Sequence, residues 1–326
     1  MVSNRVCAVV VTYNRKNLLL QCLEALRKQT RPLEGMLIVD NASTDGTPEI
    51  LLDSGYIGEL PPTGISEAWE HEHEMKNLHD GNPLRVYYVR MPQNTGGAGG
   101  FHEGMKRAYE KGYDWIWVMD DDAEPASDAL EWLLKPEFSH NDKVYALASI
   151  VIDPCGNIDF TCRRLFLSEK LAEYPLGPEY YERDLFETDT VSFVGMLVAR
   201  KAIKEVGLPE KSFFIYYDDT EYSLRIKFIG GKIYTIPKSR IVHKSRQPTN
   251  PRKDPLSWRF YYGRRNMIYT YRKYGRSNAR FYWRLLLMTL RTQIGILLFR
   301  KDKLKSTCVL WKSLFDGLRG QLGKTI

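Results

Sequence analysis

Four short apolar runs rich in β-branched residues constrain the fold of this chain more than any other feature. They occupy residues 5–12, 35–40, 84–89 and 115–120. Helical periodicity lies between several of them, at residues 18–29, 47–52 and 99–111. Continuous apolar runs separated by helices are typical of a parallel sheet that is covered on both faces. The order therefore predicts an α/β fold with a doubly wound layer.

Residues 56–82 interrupt this order with prolines, a glycine and the stretch EAWEHEHEM. Two histidines in that stretch, His71 and His73, stand two positions apart, and this spacing does not place two side chains on one face of a helix. The segment is predicted to be an exposed insertion. A metal site at the two histidines is the alternative.

Three aspartates, Asp120, Asp121 and Asp122, end the fourth apolar run and follow it. Open α/β sheets bind ligands at the carboxyl ends of their strands, so this run lies where a charged ligand is expected. Adjacent carboxylates repel one another unless a cation neutralises them, and Mg²⁺ or Mn²⁺ bind carboxylates together with phosphate oxygens. A solvated acidic turn before a helix is the alternative.

Polar or glycine-rich segments follow the other three runs at the same predicted edge of the sheet. They read TYNR at 12–15, VDNASTDGT at 39–47 and NTGGAGGFHEGM at 94–105. The glycines let the backbone approach a ligand closely and open a helix whose N-terminus favours anions. A dinucleotide fingerprint is excluded because its last glycine position is His102 and the segment follows the third strand, not the first. The segments indicate one shared pocket.

These motifs, together with FVGMLVARKAI at 193–203, FFIYYDDTEYSLRI at 213–226 and IVHKS at 241–245, resemble the inverting nucleotide-sugar glycosyltransferases of family 2. The resemblance covers roughly residues 5–270 and implies a GT-A fold, a Rossmann-like mixed sheet with flanking helices. It is greatest to bacterial galactofuranosyltransferases, with rhamnosyltransferases next. It implies transfer of galactofuranose from UDP-galactofuranose, or alternatively of rhamnose from dTDP-rhamnose, to a hydroxyl of a glycan or lipid-linked glycan.

The resemblance also assigns roles to individual residues. Donor binding falls to Thr12, Tyr13, Asn14, Arg15, Asp40, Asn41, Asn94, Gly96, Gly97, Asp120 and Asp121. For Asp40 a capping role for the next element is the alternative. Asp120 and Asp122 would hold Mn²⁺ or Mg²⁺, and His243 of IVHKS would be a further ligand, although a lone histidine after a strand is otherwise more often structural.

Inverting transfer is a single displacement, in which a carboxylate takes the proton of the acceptor hydroxyl while a metal stabilises the departing diphosphate. The resemblance assigns this general base to Asp219, with Asp218 as the competing choice. Glu221 is predicted to be a helix-surface or supporting carboxylate. An acidic first turn of a helix is the alternative explanation. Three aromatic residues beside them belong either to an acceptor platform or to the core: Phe214, Tyr216 and Tyr217.

The net charge of +7 is unevenly distributed. Residues 251–326 contain 18 Lys and Arg against 3 Asp and Glu, whereas residues 1–250 contain 29 against 37. This asymmetry predicts a GT-A catalytic domain over 1–250, with its nucleotide-sugar part in 1–125 and its acceptor part in 126–250. It also predicts a basic amphipathic helical region over 251–326 that attaches to something anionic.

One helix over 276–299 places four arginines within an arc of about 80°, opposite a wide apolar face. They are Arg276, Arg280, Arg284 and Arg291. The pattern predicts binding to an anionic membrane surface, with a homodimer interface as the alternative; nucleic acid is disfavoured because no recognised binding module accompanies it.

No run reaches the ~18 apolar residues of a spanning helix, and no secretory signal opens the sequence. The five cysteines are scattered, which favours reduced thiols. The protein is therefore predicted to be cytoplasmic and peripheral on the inner face of the cell membrane.

Two other functions compete with glycosyl transfer. A sugar-phosphate nucleotidyltransferase predicts a glycine-rich signature directly after the first strand, where this chain has TYNRKN. A non-catalytic basic adaptor for membranes or nucleic acid leaves the two acidic clusters unexplained.

Overall fold

The computed structural model of the chain describes residues 4–139, 141–167, 170, 172–244, 255–275 and 278–326. Within these ranges the strands are β1 (Val6–Thr12), β2 (Gly35–Asp40), β3 (Trp69–Lys76), β4 (Pro83–Arg90), β5 (Trp115–Asp120), β6 (Ala123–Pro125), β7 (Val144–Ile152), β8 (Arg163–Leu167), β9 (Ala172–Pro175), β10 (Phe186–Thr188), β11 (Thr190–Val191), β12 (Met196–Ala199) and β13 (Lys232–His243). The α-helices are α1 (Lys16–Arg27), α2 (Thr47–Asp53), α3 (Gly96–Glu110), α4 (Ala129–Leu133), α5 (Pro136–Ser139), α6 (Arg200–Val206), α7 (Asp218–Phe228), α8 (Trp258–Tyr274), α9 (Asn278–Phe299) and α10 (Lys303–Arg319).

A ten-stranded mixed sheet forms the centre of the described structure. Nine of its strands follow the order β10-β13-β7-β12-β5-β1-β2-β4-β3, and β6 pairs with β13. The four strands β5, β1, β2 and β4 are parallel, so their carboxyl ends meet at one edge, as the sequence predicts. Strand β12 is antiparallel to both of its neighbours, which makes the sheet mixed. A separate three-stranded sheet has the order β11-β8-β9.

Helices cover both faces of the large sheet. Successive residues of β1 alternate between two hydrophobic clusters, Val6, Ala8 and Val10 in one and Cys7, Val9 and Val11 in the other. The first cluster contains side chains of α1, α2 and α4, and the second those of α3, α6 and α7. Each fully buried aliphatic side chain contributes roughly 1.5–3 kcal/mol relative to exposure. Because side chains pack against both faces of the sheet, the core fixes where each strand ends along the sheet.

The prediction of an exposed insertion over residues 56–82 is wrong in part, because Trp69–Lys76 forms β3 at the edge of the sheet. Its side chains alternate from His71 onward, where His71, His73 and Met75 are partly buried and the charged residues Glu72, Glu74 and Lys76 are exposed. On a strand, residues two apart share a face. The two histidines therefore do lie together, with ring centroids 6.3 Å apart.

The C-terminal helices pack against the body through a third hydrophobic cluster. It joins Leu224 of α7 and Phe166 of β8 to Ile268 of α8, Leu285 of α9 and Leu314 of α10. The predicted helix over 276–299 is confirmed as α9, although residues 276 and 277 lie outside the described residues. Within the described ranges, every helix is too short or too polar to span a bilayer.

Candidate active site

The acidic run and His243 meet because of how the strands pair. Strand β5 ends at Asp120, and β6 begins at Ala123 directly after the run. The last residue of β13, His243, pairs with Ala123. Its Nε2 atom lies 3.1 Å from Asp122 Oδ1 and 4.0 Å from Asp120 Oδ2. One potential ligand atom from each of the three side chains lies within 4.8 Å of the others, and no second such group of three occurs among the described residues.

These three side chains fit a divalent cation. Asp122 Oδ1 is buried, and its polar neighbour His243 Nε2, 3.1 Å away, does not have the geometry of a hydrogen bond to it. A buried carboxylate oxygen without a well-placed donor is costly. Carboxylate and imidazole are ligands that Mn²⁺ and related ions accept. Burial works to raise the pKa of Asp122, but His243 and the guanidinium of Arg15 outweigh it and lower that pKa. Asp122 therefore favours the charged form that a cation needs.

The middle carboxylate, Asp121, contacts the loop after β1. It accepts a hydrogen bond from Thr12 Oγ1 at 2.7 Å, and Arg15 Nη1 lies 3.3 Å from it. Burial is the main cause that raises the pKa of Asp121 to about 7. Arg15 Nη1 also lies 2.5 Å from Asp122 Oδ2. Thr12 and Arg15 thus contact the acidic run, whereas Tyr13 is 44% exposed.

Asp40 is bound by protein groups on all sides. It accepts hydrogen bonds from Ser43 N at 2.8 Å, Tyr88 Oη at 2.7 Å and Arg90 Nη1 at 2.5 Å, and it has no exposed surface. Asn14, with φ of 54°, donates its backbone N–H to Ser43 Oγ at 3.0 Å. Asp40 therefore orders the loop after β2, and it does not cap the next helix, because α2 begins only at Thr47 with Gly46 as its N-cap.

Two asparagines fix the start of α3, Asn41 from the loop after β2 and Asn94 from the segment directly before the helix. Asn41 Nδ2 donates to the Gly96 carbonyl at 2.7 Å, and its Oδ1 accepts from Thr95 N at 2.9 Å. Asn94 Oδ1 accepts from Gly96 N at 2.8 Å. Asn41 is buried, so its main role in this structure is to fix the shape of the glycine-rich segment.

The glycines of that segment serve mostly protein contacts. Gly96 has φ of +75°, and a Cβ atom there would collide with the Phe214 carbonyl. A Cβ atom at Gly99 or Gly100 would collide with a neighbouring side chain, whereas at Gly97 it would meet nothing within 4 Å. Close packing within the protein explains three of the four glycines. Gly97 alone of these four faces open space.

The second acidic group begins α7, where Asp218 is buried and Asp219 is partly exposed. Asp219 Oδ1 accepts a hydrogen bond from Thr220 N at 2.6 Å. Burial raises the pKa of both carboxyls; the charge of Asp219 adds to the effect on Asp218, whereas Arg164 opposes the rise at Asp219. The charge of Asp120 also raises the pKa of Asp218. The two acidic groups are therefore close enough for their charges to influence one another.

Glu221, the third carboxylate of that turn, supports the structure. It accepts hydrogen bonds from Arg225 Nε at 2.9 Å, Lys273 Nζ at 2.9 Å and Tyr274 Oη at 2.8 Å. These contacts join α7 to α8, and Glu221 is buried, which agrees with the supporting role and not with the helix-surface alternative.

Arg164 on β8 lies at the site although no sequence pattern predicted it there. Its Nη1 lies 3.3 Å from Glu173 Oε2, and its Nη2 donates to Thr220 Oγ1 at 3.2 Å. It thus places a positive charge beside the first turn of α7. The one available signal is the pair Arg163 and Arg164 at the head of an otherwise apolar strand.

The aromatic residues divide between core and surface. Phe193 is buried, and its ring centroid lies 4.9 Å from that of Phe101. Phe214 packs on Tyr262 with ring centroids 4.9 Å apart, whereas Tyr216 is 42% exposed. Tyr216 is therefore the candidate for a sugar platform.

Two solved structures share this fold. GalNAc-T7, crystallised with UDP, GalNAc and Mn²⁺, superposes with a TM-score of 0.60 and 14% identity over 97% of this chain and 56% of that one. The mannosyltransferase PcManGT of Pyrobaculum calidifontis, in complex with GDP-mannose and Mn²⁺, gives a TM-score of 0.52 and 17% identity over 97% of this chain and 88% of that one. Both likenesses concern the fold.

Three curated proteins are similar in sequence. Galactofuranosyltransferase GlfT1 of Mycolicibacterium smegmatis is 29% identical over 73% of this chain and 70% of its own length. GlfT1 of Mycobacterium tuberculosis is 30% identical over 68% of this chain and 64% of its own length. The N-acetylglucosaminyl-diphospho-decaprenol L-rhamnosyltransferase of the same species is 25% identical over 76% of this chain and 78% of its own length.

The sequence profile described as glycosyl transferase family 2 matches residues 7–55 and 70–207. The match includes Asp120–Asp122 and stops before Asp218 and His243. The two matched stretches together span more than half of the chain. The chain belongs to glycosyl transferase family 2, and it is a glycosyltransferase with a GT-A fold.

Proposed function

We propose that this enzyme is a metal-dependent inverting transferase that moves galactofuranose from UDP-galactofuranose to a hydroxyl of a glycan or lipid-linked glycan. One observation carries the proposal: Asp120, Asp122 and His243 converge beside a separate pair of carboxyls at the start of α7. The two GlfT1 proteins support galactofuranose as the sugar. Transfer of rhamnose from dTDP-rhamnose is the second candidate, supported by the similar rhamnosyltransferase.

Asp120, Asp122 and His243 would hold Mn²⁺ or Mg²⁺. Bound there, the ion supplies positive charge that stabilises the leaving diphosphate. Arg15 places a further positive charge at the same edge. Gly97 offers the open backbone position for the donor phosphates at the first turn of α3, whose N–H groups favour an anion.

Asp219 is our choice for the general base. Its side chain is partly exposed at the start of α7, whereas Asp218 is buried beside it. A base must reach the proton that it removes, so its partial exposure favours Asp219 over the buried Asp218. A carboxyl pKa raised toward neutrality also suits proton transfer near neutral pH. Asp218, at the start of the same helix, remains the competing choice for the general base.

A donor screen tests the proposal. The full-length enzyme with Mn²⁺ and a synthetic lipid-linked glycan is offered UDP-galactofuranose, UDP-galactopyranose, UDP-glucose or dTDP-rhamnose, and release of the nucleoside diphosphate is measured. We expect release with UDP-galactofuranose that depends on the acceptor. Release with dTDP-rhamnose alone selects the second candidate, and release with UDP-glucose alone refutes both.

We further propose that the enzyme is peripheral on the inner face of the cell membrane and binds it through α9. Phe281, Leu285, Thr289 and Ile296 of this helix are buried against the rest of the chain. The opposite side exposes large apolar side chains, namely Trp283, Leu286, Leu287, Leu290, Ile294, Leu297 and Leu298. Arg284 and Arg291 flank this outward apolar face and are exposed. An apolar face with basic residues beside it suits an anionic membrane interface. A homodimer that covers the same face is the alternative.

A further inference from the structure

The backbone just before the proposed catalytic pair is strained. Phe214, Tyr216 and Tyr217 have φ angles of 67°, 67° and 68°, in the left-handed region that residues with a side chain avoid. Three such residues among four persist only when their surroundings hold them, and such strain clusters at functional sites. Tyr217 is also the residue that caps the start of α7, so the conformation of this loop sets where Asp218 and Asp219 begin.

One buried amide of α8 supports most of that loop. Asn266 Nδ2 donates to the carbonyls of Phe213, Ile215 and Tyr216, at 3.0, 2.9 and 2.9 Å. Asn266 itself has no exposed surface. Among the described side chains, Asn266 is the one that bonds to the Ile215 and Tyr216 carbonyls, and it shares the Phe213 carbonyl with Arg265.

Arg265 fixes the orientation of that amide. Its Nε donates to Asn266 Oδ1 at 2.8 Å, which leaves Nδ2 facing the loop. Its Nη2 donates to the Phe213 carbonyl at 3.0 Å. Its Nη1 donates to the Gly323 carbonyl at 2.6 Å, so the guanidinium also connects the loop with the segment after α10.

The other side of the loop rests on the donor half of the site. The Phe214 carbonyl accepts a hydrogen bond from Ala98 N at 3.1 Å, in the first turn of α3. Gly96 allows this approach because it lacks a Cβ atom. The loop is thus held between the glycine-rich segment and α8.

We propose that Asn266, oriented by Arg265, is a positioning residue that holds residues 213–217 in the strained conformation and thereby places Asp218 and Asp219 for proton removal. The proposal rests on the catalytic role of that pair. It makes the basic C-terminal region part of the active site as well as a candidate attachment surface. A misplacement of a catalytic group by about 1 Å can cost ~10²-fold in rate.

The test compares Asn266→Asp and Asn266→Ala with the wild type. The first replaces the donor by an oxygen that repels three carbonyls, and the second removes the donor without repulsion, which keeps the test valid if one variant fails to fold. Thr270→Val is the matched control, because Thr270 is buried on the same helix and its Oγ1 has no hydrogen-bond partner. Sites are counted by calorimetric titration with UDP and Mn²⁺.

We expect kcat per UDP-binding site to fall ~10- to 100-fold in both Asn266 variants, with the Kd for UDP within about twofold of the wild type. Amide hydrogen exchange should rise in residues 213–219 and stay unchanged in β1 and β5. Thr270→Val should match the wild type in all three measurements. A kcat per site within about twofold of the wild type in both Asn266 variants overturns the proposal, as does exchange that rises evenly over the whole chain. Amide hydrogen exchange shows whether Asn266 holds residues 213–217 even if the donor screen refutes the proposed reaction.

Discussion

Neighbouring carboxylates of the acidic run point in different directions. Asp120 and Asp122 face His243, whereas Asp121 faces Thr12. Asp121 and Asp122 form the turn between β5 and β6, and their side chains diverge within that turn. Residues of one short motif therefore have separate roles, and single substitutions distinguish them.

Asp122→Asn should abolish Mn²⁺-dependent binding of UDP and transfer. The change removes the charge of the proposed ligand whose oxygen is buried and accepts no well-formed hydrogen bond. Calorimetric titration with UDP, with and without Mn²⁺, measures the effect. Asp53→Asn, which alters an exposed carboxylate at the end of α2, is the control. Full activity of the wild type in excess chelator would contradict the metal assignment.

Asp219→Asn should slow transfer ~10²-fold or more, the usual scale for loss of a general base, and leave binding of UDP nearly intact. Initial rates at saturating donor, together with the Kd for UDP, provide the measurement. Asp218→Asn is the matched comparison on the neighbouring carboxyl. If Asp218→Asn is crippling and Asp219→Asn is mild, the two roles are exchanged.

Gly96→Ala and Gly97→Ala should have opposite effects. The first introduces a Cβ atom at positive φ against the Phe214 carbonyl and should destabilise the fold by roughly 2–4 kcal/mol. The second meets no atom within 4 Å and should leave the free energy of unfolding within about 0.5 kcal/mol but raise KM for the donor. Urea unfolding and donor kinetics measure both. An unchanged KM in Gly97→Ala shows that the donor does not approach this backbone.

At the scale of elements, α9 is unusual because only a narrow stripe of it is buried. A helix that is apolar on its outward side as well has an unfavourable surface in water, and patches of this kind mark interfaces. The helix contains arginines and no acidic residue, so a partner that is attracted by its charge is anionic. Membrane lipid and a second copy of the chain are distinguishable by salt dependence.

The wild type should bind liposomes that contain anionic lipid and release them as salt rises. Each Lys or Arg near such a surface contributes ~1 kcal/mol, and the attraction decays over ~8 Å at physiological salt. Co-sedimentation with anionic and neutral liposomes at two salt concentrations measures this. The double variant Arg284→Gln with Arg291→Gln should weaken the preference for anionic liposomes. The double variant Leu287→Gln with Ile294→Gln should weaken binding to both kinds of liposome.

Equal binding to neutral and anionic liposomes, or a stable dimer by analytical ultracentrifugation, contradicts the membrane proposal. The predicted contribution of Arg276 lies outside the described residues.

At the scale of the whole molecule, the sequence suggests a boundary near residue 250, but the packing crosses it. The third hydrophobic cluster joins Leu224 and Phe166 to α8, α9 and α10, and Glu221 bonds to two residues of α8. Separate domains are joined by few contacts. The catalytic body and the basic region therefore act together in the described structure.

Thermal unfolding should accordingly show one transition. Ligands that bind the folded state raise its stability by mass action, so UDP with Mn²⁺ should shift the entire transition upward. Differential scanning calorimetry with and without these ligands is the measurement. Two endotherms, with only one of them shifted, would show that residues 251–326 form an independent unit.

The main elements of the donor half, and the edge at which the site forms, follow from the sequence alone. Apolar runs and helical periodicity are local, and the rule that parallel strands end at one edge brings their following loops together without further information. For this reason the sequence places Asp120, Asp122 and Gly97 at that edge. The resemblance to a family added His243 and Asp219, which no local pattern marks.

Which groups touch depends on the tertiary structure. His243 reaches Asp122 because β13 pairs with both β7 and β6, after a register irregularity between Ile236 and Arg240. Asn266 reaches the loop before Asp218 because α8 packs there, about 50 residues further along the chain. Such contacts follow from strand register and helix packing, which depend on burial summed over the whole core. A short stretch of sequence therefore does not determine these contacts.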